Sequence, residues 1–357
     1  MKFSVLLSNL KKQFDELSSI AGTAPNKDDI TSNILLKVSG NNLYIKATNY
    51  NIELQSVIPL SSVESEGDIT VSAQKLREAL SNLDITSLLC IELDEDKSII
   101  SISDGVVVFE IRTRSAIDFP SFELENFTQE ISVKQKDLKF IIDNSLFCVT
   151  NDDFRDYLRG LRIELNNGKL EVFASDGHRM AYLETTLEDQ SSNTSFGAIV
   201  PKKAAALLSK ILNENGETDV VLKFSKNIMV TKINNFSLVT KLIVCGYPNV
   251  RAVIPKDVNI SYNVPKTLFS KLIQQVAVLS SKRFYGVSFS FGNEKILMRS
   301  ENAEHEVATA SMSLPGALDQ VEFTLNSVYV KEVLNVIKTE NVTICFSQPN
   351  IHILFKK

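Results

Sequence analysis

Phe3-Ser4-Val5, followed by a helical period of apolar residues over 10–21, sets a strand-then-helix pattern that the chain repeats. The same order recurs at Ile131-Ser132-Val133 with 138–148, and at Ile260-Ser261-Tyr262 with 268–279. Phe3 and Ile131 lie 128 residues apart, and Ile131 and Ile260 lie 129 apart. A second marker falls midway through each unit: Val71-Ser72-Ala73 with 76–83, Val200-Pro201-Lys202 with 204–212, and Leu325-Asn326-Ser327 with 330–337. Its starts are 129 and 125 residues apart. Two independent markers sharing one period predict a threefold internal repeat, each copy holding two strand-helix half-units.

The stretches after the helices read as strands. Segments 88–93, 99–103, 106–112, 161–165, 169–173, 220–224 and 237–244 are rich in Val, Ile, Leu and Phe. Several alternate apolar with polar residues, as half-buried antiparallel strands do. Turn chemistry separates them at Asn41-Asn42, Asp104-Gly105, Asn166-Asn167-Gly168 and Asn234-Asn235. Proline-bearing linkers are expected at 118–130 and 247–259. The class is α+β: three similar domains, at 1–125, 126–255 and 256–357, each with two helices against antiparallel sheets. From Val71 to the end of its strand set at Arg114 is 43 residues, and Val200 to Ile243 is also 43. The same count from Leu325 passes Lys357, so the third domain is expected to lack its last strand.

Composition bounds the function. The 357 residues are 44% hydrophobic and 23% charged, with mean hydropathy near zero, the profile of a soluble globular chain. No run reaches the roughly 18 apolar residues of a membrane helix, and Met1-Lys2-Phe3-Ser4-Val5 lacks signal-peptide regions. A cytoplasmic location is expected. Cys90, Cys148, Cys245 and Cys345 are far apart, each in or beside an apolar run, and read as reduced and mostly buried thiols.

The net charge of -5 argues at first against a nucleic-acid partner. Sorting the charge changes that reading. The helical windows 8–20, 74–83, 134–146, 201–212, 265–279 and 326–338 hold 14 Lys or Arg against 6 Asp or Glu. Their balance of +8 leaves -13 on the rest of the chain. Lysine favours helices and solvates their outer faces, but glutamate favours them equally and is scarce here. The sharper reading is one cationic, helix-lined face and an acidic exterior. Such a face attracts phosphates without reading bases. Two copies of a three-repeat arc closed by a twofold axis would make a ring lined by helices.

Catalytic signatures are missing: there is no phosphate-binding loop, Gly-x-Ser-x-Gly or His-Glu-x-x-His. His178, His305 and His352 have no metal-ligand spacing, and no cofactor is implied. Glu304-His305-Glu306 reads as a solvated strand face. One cluster carries more polar groups than a turn requires: Ala174-Ser175-Asp176-Gly177-His178-Arg179-Met180. It reads as an ordinary Asp-Gly turn or as the frame of a binding pocket. A hydrolase reading is weaker, because consecutive residues such as Ser175, Asp176 and His178 rarely converge on one reacting atom.

Over essentially its whole length the chain resembles the β subunit of bacterial DNA polymerase III, the sliding-clamp family. The resemblance rests on Met1-Lys2-Phe3, Asp118-Phe119-Pro120, Phe154-Arg155-Asp156-Tyr157-Leu158-Arg159-Gly160, Ser175-Asp176-Gly177-His178-Arg179, Val200-Pro201-Lys202-Lys203, Tyr247-Pro248 and Ile254-Pro255-Lys256. It implies the DNA-clamp fold, closed as a head-to-tail homodimeric ring on double-stranded DNA. It also implies a non-enzymatic role, in which polymerase subunits, the clamp loader and repair polymerases are held by short peptides. The peptide pocket, between the family's second and third domains, would comprise Arg155, Leu158, Ser175, Gly177, His178, Arg179, Met180, Pro248 and Val253. Ala252 stands where the family usually has arginine. The family's last strand and Met-Pro-Met-like tail, which line that pocket, have no counterpart up to Lys357.

The dimer seam maps to Phe109 and, opposite it, Val278 and Leu279. Val106 and Val108 occupy positions where the family often has arginine, and Thr309 replaces an acid, so an apolar seam is implied. Lys27, Tyr157, Lys202 and Lys203 would face DNA, with Asp156 where an aromatic is usual. The alternative is a monomeric repeat scaffold that binds protein partners only.

Overall fold

A computed structural model describes residues 1–21, 29–124, 126–187, 196–255, 258–346 and 352–356. The first repeat runs β1 (Lys2–Leu6), α1 (Leu7–Ala21), β2 (Asn33–Ser39), β3 (Asn42–Thr48), β4 (Ile52–Pro59) and β5 (Ser62–Ser65). Its second half is β6 (Gly67–Ser72), α2 (Ala73–Ser81), β7 (Leu88–Asp94), β8 (Ile99–Ser103) and β9 (Val108–Arg114). The second repeat follows as β10 (Gln129–Lys134), α3 (Gln135–Asp143), β11 (Gly160–Asn166), β12 (Lys169–Ser175) and β13 (Met180–Thr186). Then come β14 (Phe196–Pro201), α4 (Lys202–Ile211), β15 (Asp219–Phe224), β16 (Ile228–Ile233) and β17 (Phe236–Lys241). The third repeat is β18 (Ile260–Pro265), α5 (Lys266–Val276), β19 (Gly286–Gly292), β20 (Lys295–Glu301), β21 (Val307–Ser313), β22 (Val321–Asn326), α6 (Ser327–Val336), β23 (Asn341–Phe346) and β24 (Leu354–Lys356). Three strands follow α2 and α4, whereas two described strands follow α6.

The local reasons are visible in β1 and α1. Phe3 and Val5 are buried at alternate positions of the strand, and Lys2 and Ser4 face outward. The period then changes: Leu7, Leu10, Phe14, Leu17 and Ala21 line one buried stripe of α1. Side chains cap two later helices. Ser72 accepts the Lys75 N–H at the start of α2, and Asn326 accepts the Val328 N–H at the start of α6. At the turn predicted for Asn166-Asn167-Gly168, Asn167 and Gly168 have φ of 51° and 73°, the pair of positive values a tight hairpin needs.

Two compact units result, Met1–Gly246 and Tyr247–Lys357. The first contains two repeats because their sheets join. β17 pairs antiparallel with β4, setting Phe236 opposite Ser56, Leu238 opposite Leu54 and Thr240 opposite Ile52. The joined sheet has 13 strands, in the order β10-β15-β16-β17-β4-β3-β2-β6-β9-β8-β7-β1-β5. On its helix side Leu54 and Leu238 are fully buried, and Ser56 hydrogen-bonds the Gln13 side chain of α1. On the other side the linker covers the joint: Phe122 and Phe127 pack against Ile228, Val230 and Val239. Phe122 donates its N–H to Glu53 at 3.2 Å, and Lys46 pairs with Glu53 at 3.5 Å. The second unit has its own core, from Phe269 and Ile273 of α5 to Phe289, Phe291 and Phe346 of its sheets. Its sheets run β18-β23-β24 and β21-β20-β19-β22.

Three sequence expectations need correction. Cys148 and Cys345 are buried, but Cys90 and Cys245 are exposed. Cys90 takes an outward position of β7 between buried Leu89 and Ile91, which a contiguous apolar run does not reveal. The strand expected over 106–112 begins at Val108, because the Asp104 carboxylate accepts the Val106 and Val107 N–H groups and holds them in a turn. Glu304-His305-Glu306 forms the β20–β21 turn and not a strand face: Asn302 accepts the N–H of both glutamates, and His305 has φ +63°.

If the β4–β17 joint holds the first unit together, Leu238→Ala should lower its unfolding free energy by about 2–5 kcal/mol. Val221→Ala, on the half-exposed face of β15, should change it by roughly 1 kcal/mol or less. Urea melts of the two variants check both values.

Candidate peptide site and charged faces

The cluster that stood out in the sequence is the turn between β12 and β13, and its polar groups bind one another. Ser175 Oγ accepts the Gly177 N–H at 3.0 Å and donates to the Arg179 carbonyl at 2.8 Å. One oxygen of Asp176 accepts the N–H groups of His178 and Arg179, at 2.9 and 3.0 Å. The other accepts Arg179 Nε at 3.0 Å. Arg179 Nη2 then reaches the Phe147 carbonyl at 3.0 Å, with the guanidinium 5.2 Å from the Phe147 ring centroid. The Asp176 carboxylate is therefore engaged with the turn's own donors, and the Ser175 hydroxyl donates to a backbone carbonyl. That arrangement does not align a nucleophile with a base.

A second element closes over this turn. Arg155 precedes the short helical turn Asp156–Arg159, which carries buried Leu158. Its guanidinium lies against Gly177, where a Cβ would come within 2.7 Å of Nη2, and Gly177 has φ +87°. Both facts call for glycine. Arg155 is itself held by Asp153: Nε and Nη2 each donate to a different carboxylate oxygen at 2.9 Å, and the Arg155 N–H adds 2.8 Å to the first. The guanidinium also lies 5.3 Å from the ring centroid of Phe154, which is 92% exposed. Sequence reading named Arg155 and Gly177 but missed Asp153. The Asp-x-Arg spacing was a usable signal, because an aspartate readily binds the N–H two residues on.

The structure thus gathers Arg155, Leu158, Ser175, Gly177, His178, Arg179 and half-buried Met180 at one end of the β11–β13 sheet. Pro248 and Val253 belong to the second unit, where Val253 is 53% exposed.

Of the residues expected to face DNA, Lys27 lies outside the described residues. Tyr157 is half-buried, and Lys203 is exposed at the start of α4. Lys202 is half-buried, and its ammonium donates to the Val149 carbonyl at 2.6 Å. Lys266, at the same place in α5, donates to the Ile337 carbonyl at 2.6 Å, so the first lysine of each helix ties it to a neighbouring segment. The helices of the first unit expose Lys12, Lys75, Arg77, Lys203 and Lys210 against Asp15, Glu78 and Asp143. Lys210 of α4 approaches Glu16 of α1 at 3.8 Å across the two repeats.

The residues expected at a seam lie on β9 and in the turn that follows α5. β9 pairs with β8 along Val108 to Arg112, and reaches β6 only at Thr113 and Arg114. Beside Phe109, Val106 is 89% exposed and Val108 is 60% exposed. In the second unit β21 is the edge strand of its sheet, and Val278, in the turn Ala277–Leu279, is 77% exposed. Leu279 is half-buried.

Repeated α+β domains with helix-borne cations and open sheet edges define a protein of the clamp class. Models of the N-terminal, central and C-terminal domains of the DNA polymerase III beta subunit match residues 1–123, 132–249 and 251–357, and the chain belongs to that family. It is 29% identical over 350 residues to the beta sliding clamp of Vibrio cholerae, covering 98% of this chain and 94% of the relative. The Proteus mirabilis clamp is 28% identical over 342 residues, covering 96% and 92%. A Pseudomonas aeruginosa DnaN sliding clamp, solved bound to griselimycin, superposes with a TM-score of 0.93 at 26% identity, covering 99% of this chain and 95% of that one.

The Arg155 guanidinium beside Asp153 holds its carboxyl well below the ordinary 3.8, at about 2. A carboxyl depressed on folding stabilises the native state above its unfolded pKa, and that contribution fades as pH falls toward the folded value. Asp153→Asn should therefore flatten the stability loss between about pH 4 and pH 2, while its deficit relative to the native chain is fully present at neutral pH. Thermal melts across that window check the sign.

Proposed function

We propose that two copies of this chain close head to tail into a ring around duplex DNA, which slides without sequence preference. The ring tethers replicative polymerase subunits, the clamp loader and repair polymerases through short peptides. The observation that carries this reading is the sorting of charge: 14 basic against 6 acidic residues in the helical windows of a chain whose net charge is -5. A cationic helical face holds phosphates at any sequence, and an acidic remainder limits non-specific adhesion. The role is non-enzymatic and cytoplasmic. Support comes from the sliding-clamp relatives and from the self-bonded Ser175 and Asp176.

The peptide site is the β12–β13 turn with Arg155, Leu158, His178, Arg179 and Met180; Pro248 and Val253 join it on the family resemblance. An apolar anchor against Leu158 and Met180 inside a polar rim suits a short extended peptide. The seam brings Phe109 of one copy to Val278 and Leu279 of the other, and Lys203 and Tyr157, with Lys27, contact DNA. Lys202 serves the fold through Val149 as much as the DNA.

Enclosure gives the decisive experiment. Protein loaded on nicked circular DNA should survive high salt and leave once the circle is cut, whereas phosphate binding alone weakens with salt on both forms. Equal loss from circle and linear DNA would refute the ring, and a sedimentation mass of one chain would favour the scaffold that binds proteins only.

The seam gives a second one. Leu279→Ala should weaken the dimer by about 2–4 kcal/mol. Because exposed valines stand beside Phe109, the dimer constant should change little with salt. Analytical ultracentrifugation at low and high salt measures both, and a strongly salt-weakened dimer would place the seam elsewhere.

A further inference from the structure

Two arginines frame the β12–β13 turn, and each is matched by its own aspartate. Asp153 grips Arg155 through both carboxylate oxygens, and Asp176 grips Arg179 while capping the turn. The Asp153 and Arg155 side chains retain 17% and 34% of their accessible surface, and those of Asp176 and Arg179 retain 15% and 16%. These are shielded pairs, in which charge cancellation is more effective than on an open surface. The remaining charges nearby do not restore a positive field: Arg159 pairs with Asp156 at 2.8 Å, and Asp152 is exposed. The rim therefore offers guanidinium N–H donors with almost no net charge.

Asp153 also decides where Arg155 sits. Side-on pairing occupies Nε and one N–H of Nη2, which leaves the guanidinium plane lying over Gly177. A planar group fixed before binding loses little entropy when it takes an acceptor. We propose that Asp153 is a positioning and specificity-determining residue of the peptide site: it pins Arg155 over Gly177 and cancels its charge, so that the rim selects neutral carbonyl acceptors over carboxylates. This deepens the peptide-site reading above and rests on it.

The test uses the full-length chain and one polymerase-derived peptide in two forms, with glutamine or glutamate beside its apolar anchor. The native protein should bind the glutamine form at least as tightly, with little salt dependence. Asp153→Asn unmasks one positive charge, so the preference should move toward the glutamate form by about three- to tenfold, and salt should now weaken that form. The Arg155 Nε–H resonance, ordered in the native protein, should become mobile in Asp153→Asn. Asp153→Glu should restore both the preference and the resonance. An unchanged preference in Asp153→Asn, with peptide still bound, would overturn the proposal while leaving the site intact. Equal weakening of both forms would also overturn it, reducing Asp153 to a structural role. If the native protein binds neither form, the peptide-site reading itself fails and this proposal falls with it.

Discussion

The pairing of β17 with β4 is the constraint on which the first unit depends. A strand that ends one repeat completes the ladder of a strand in the repeat before it, so two domains share one sheet. Backbone hydrogen bonds set the register, while burial of Leu54 and Leu238 on one face and of Val239 on the other supplies the stabilisation. The linker follows from this joint. Phe122 and Phe127 cover its outer face, and the buried Glu53 carboxylate is answered by Lys46 and the Phe122 N–H. The same logic applies to β9 from Val108 to Arg112, which has β8 on one side only and an exposed Val108 at its start, a place that calls for a partner strand or surface.

Because the sheet is continuous, helices of the two repeats are brought together. α1 meets the joint through Gln13 and Ser56, and Lys210 of α4 reaches Glu16 of α1. Charged side chains far apart in the sequence thereby meet. Charge that cancels in the chain's total is sorted between elements, and the helical windows of a chain of net charge -5 carry a surplus of bases.

The β12–β13 turn shows a different economy. Its aspartates and arginines bind one another and the backbone, so the turn is rigid and close to neutral before any partner arrives. A site of this kind gains affinity from apolar anchors and fixed donors, not from long-range attraction.

The sequence by itself determined the repeat, the α+β class, the alternation that buries Phe3 and Val5, and the cationic bias of the helices. All of these are periodic or compositional, and survive without knowing what lies opposite. It also singled out Asp176, His178 and Arg179, since consecutive polar residues between apolar strands are visible in one dimension. Only the tertiary structure decided the rest. Asp153 matters because the fold brings Arg155 over Gly177, 22 residues away. Lys202 turned inward because the Val149 carbonyl lies within its reach, and Cys90 turned outward because the register of β7 against β1 and β8 puts it there. Pairing partners distant in sequence leave no periodic trace. The joint at Leu54 and Leu238, which merges two domains into one unit, could be read only from the folded chain.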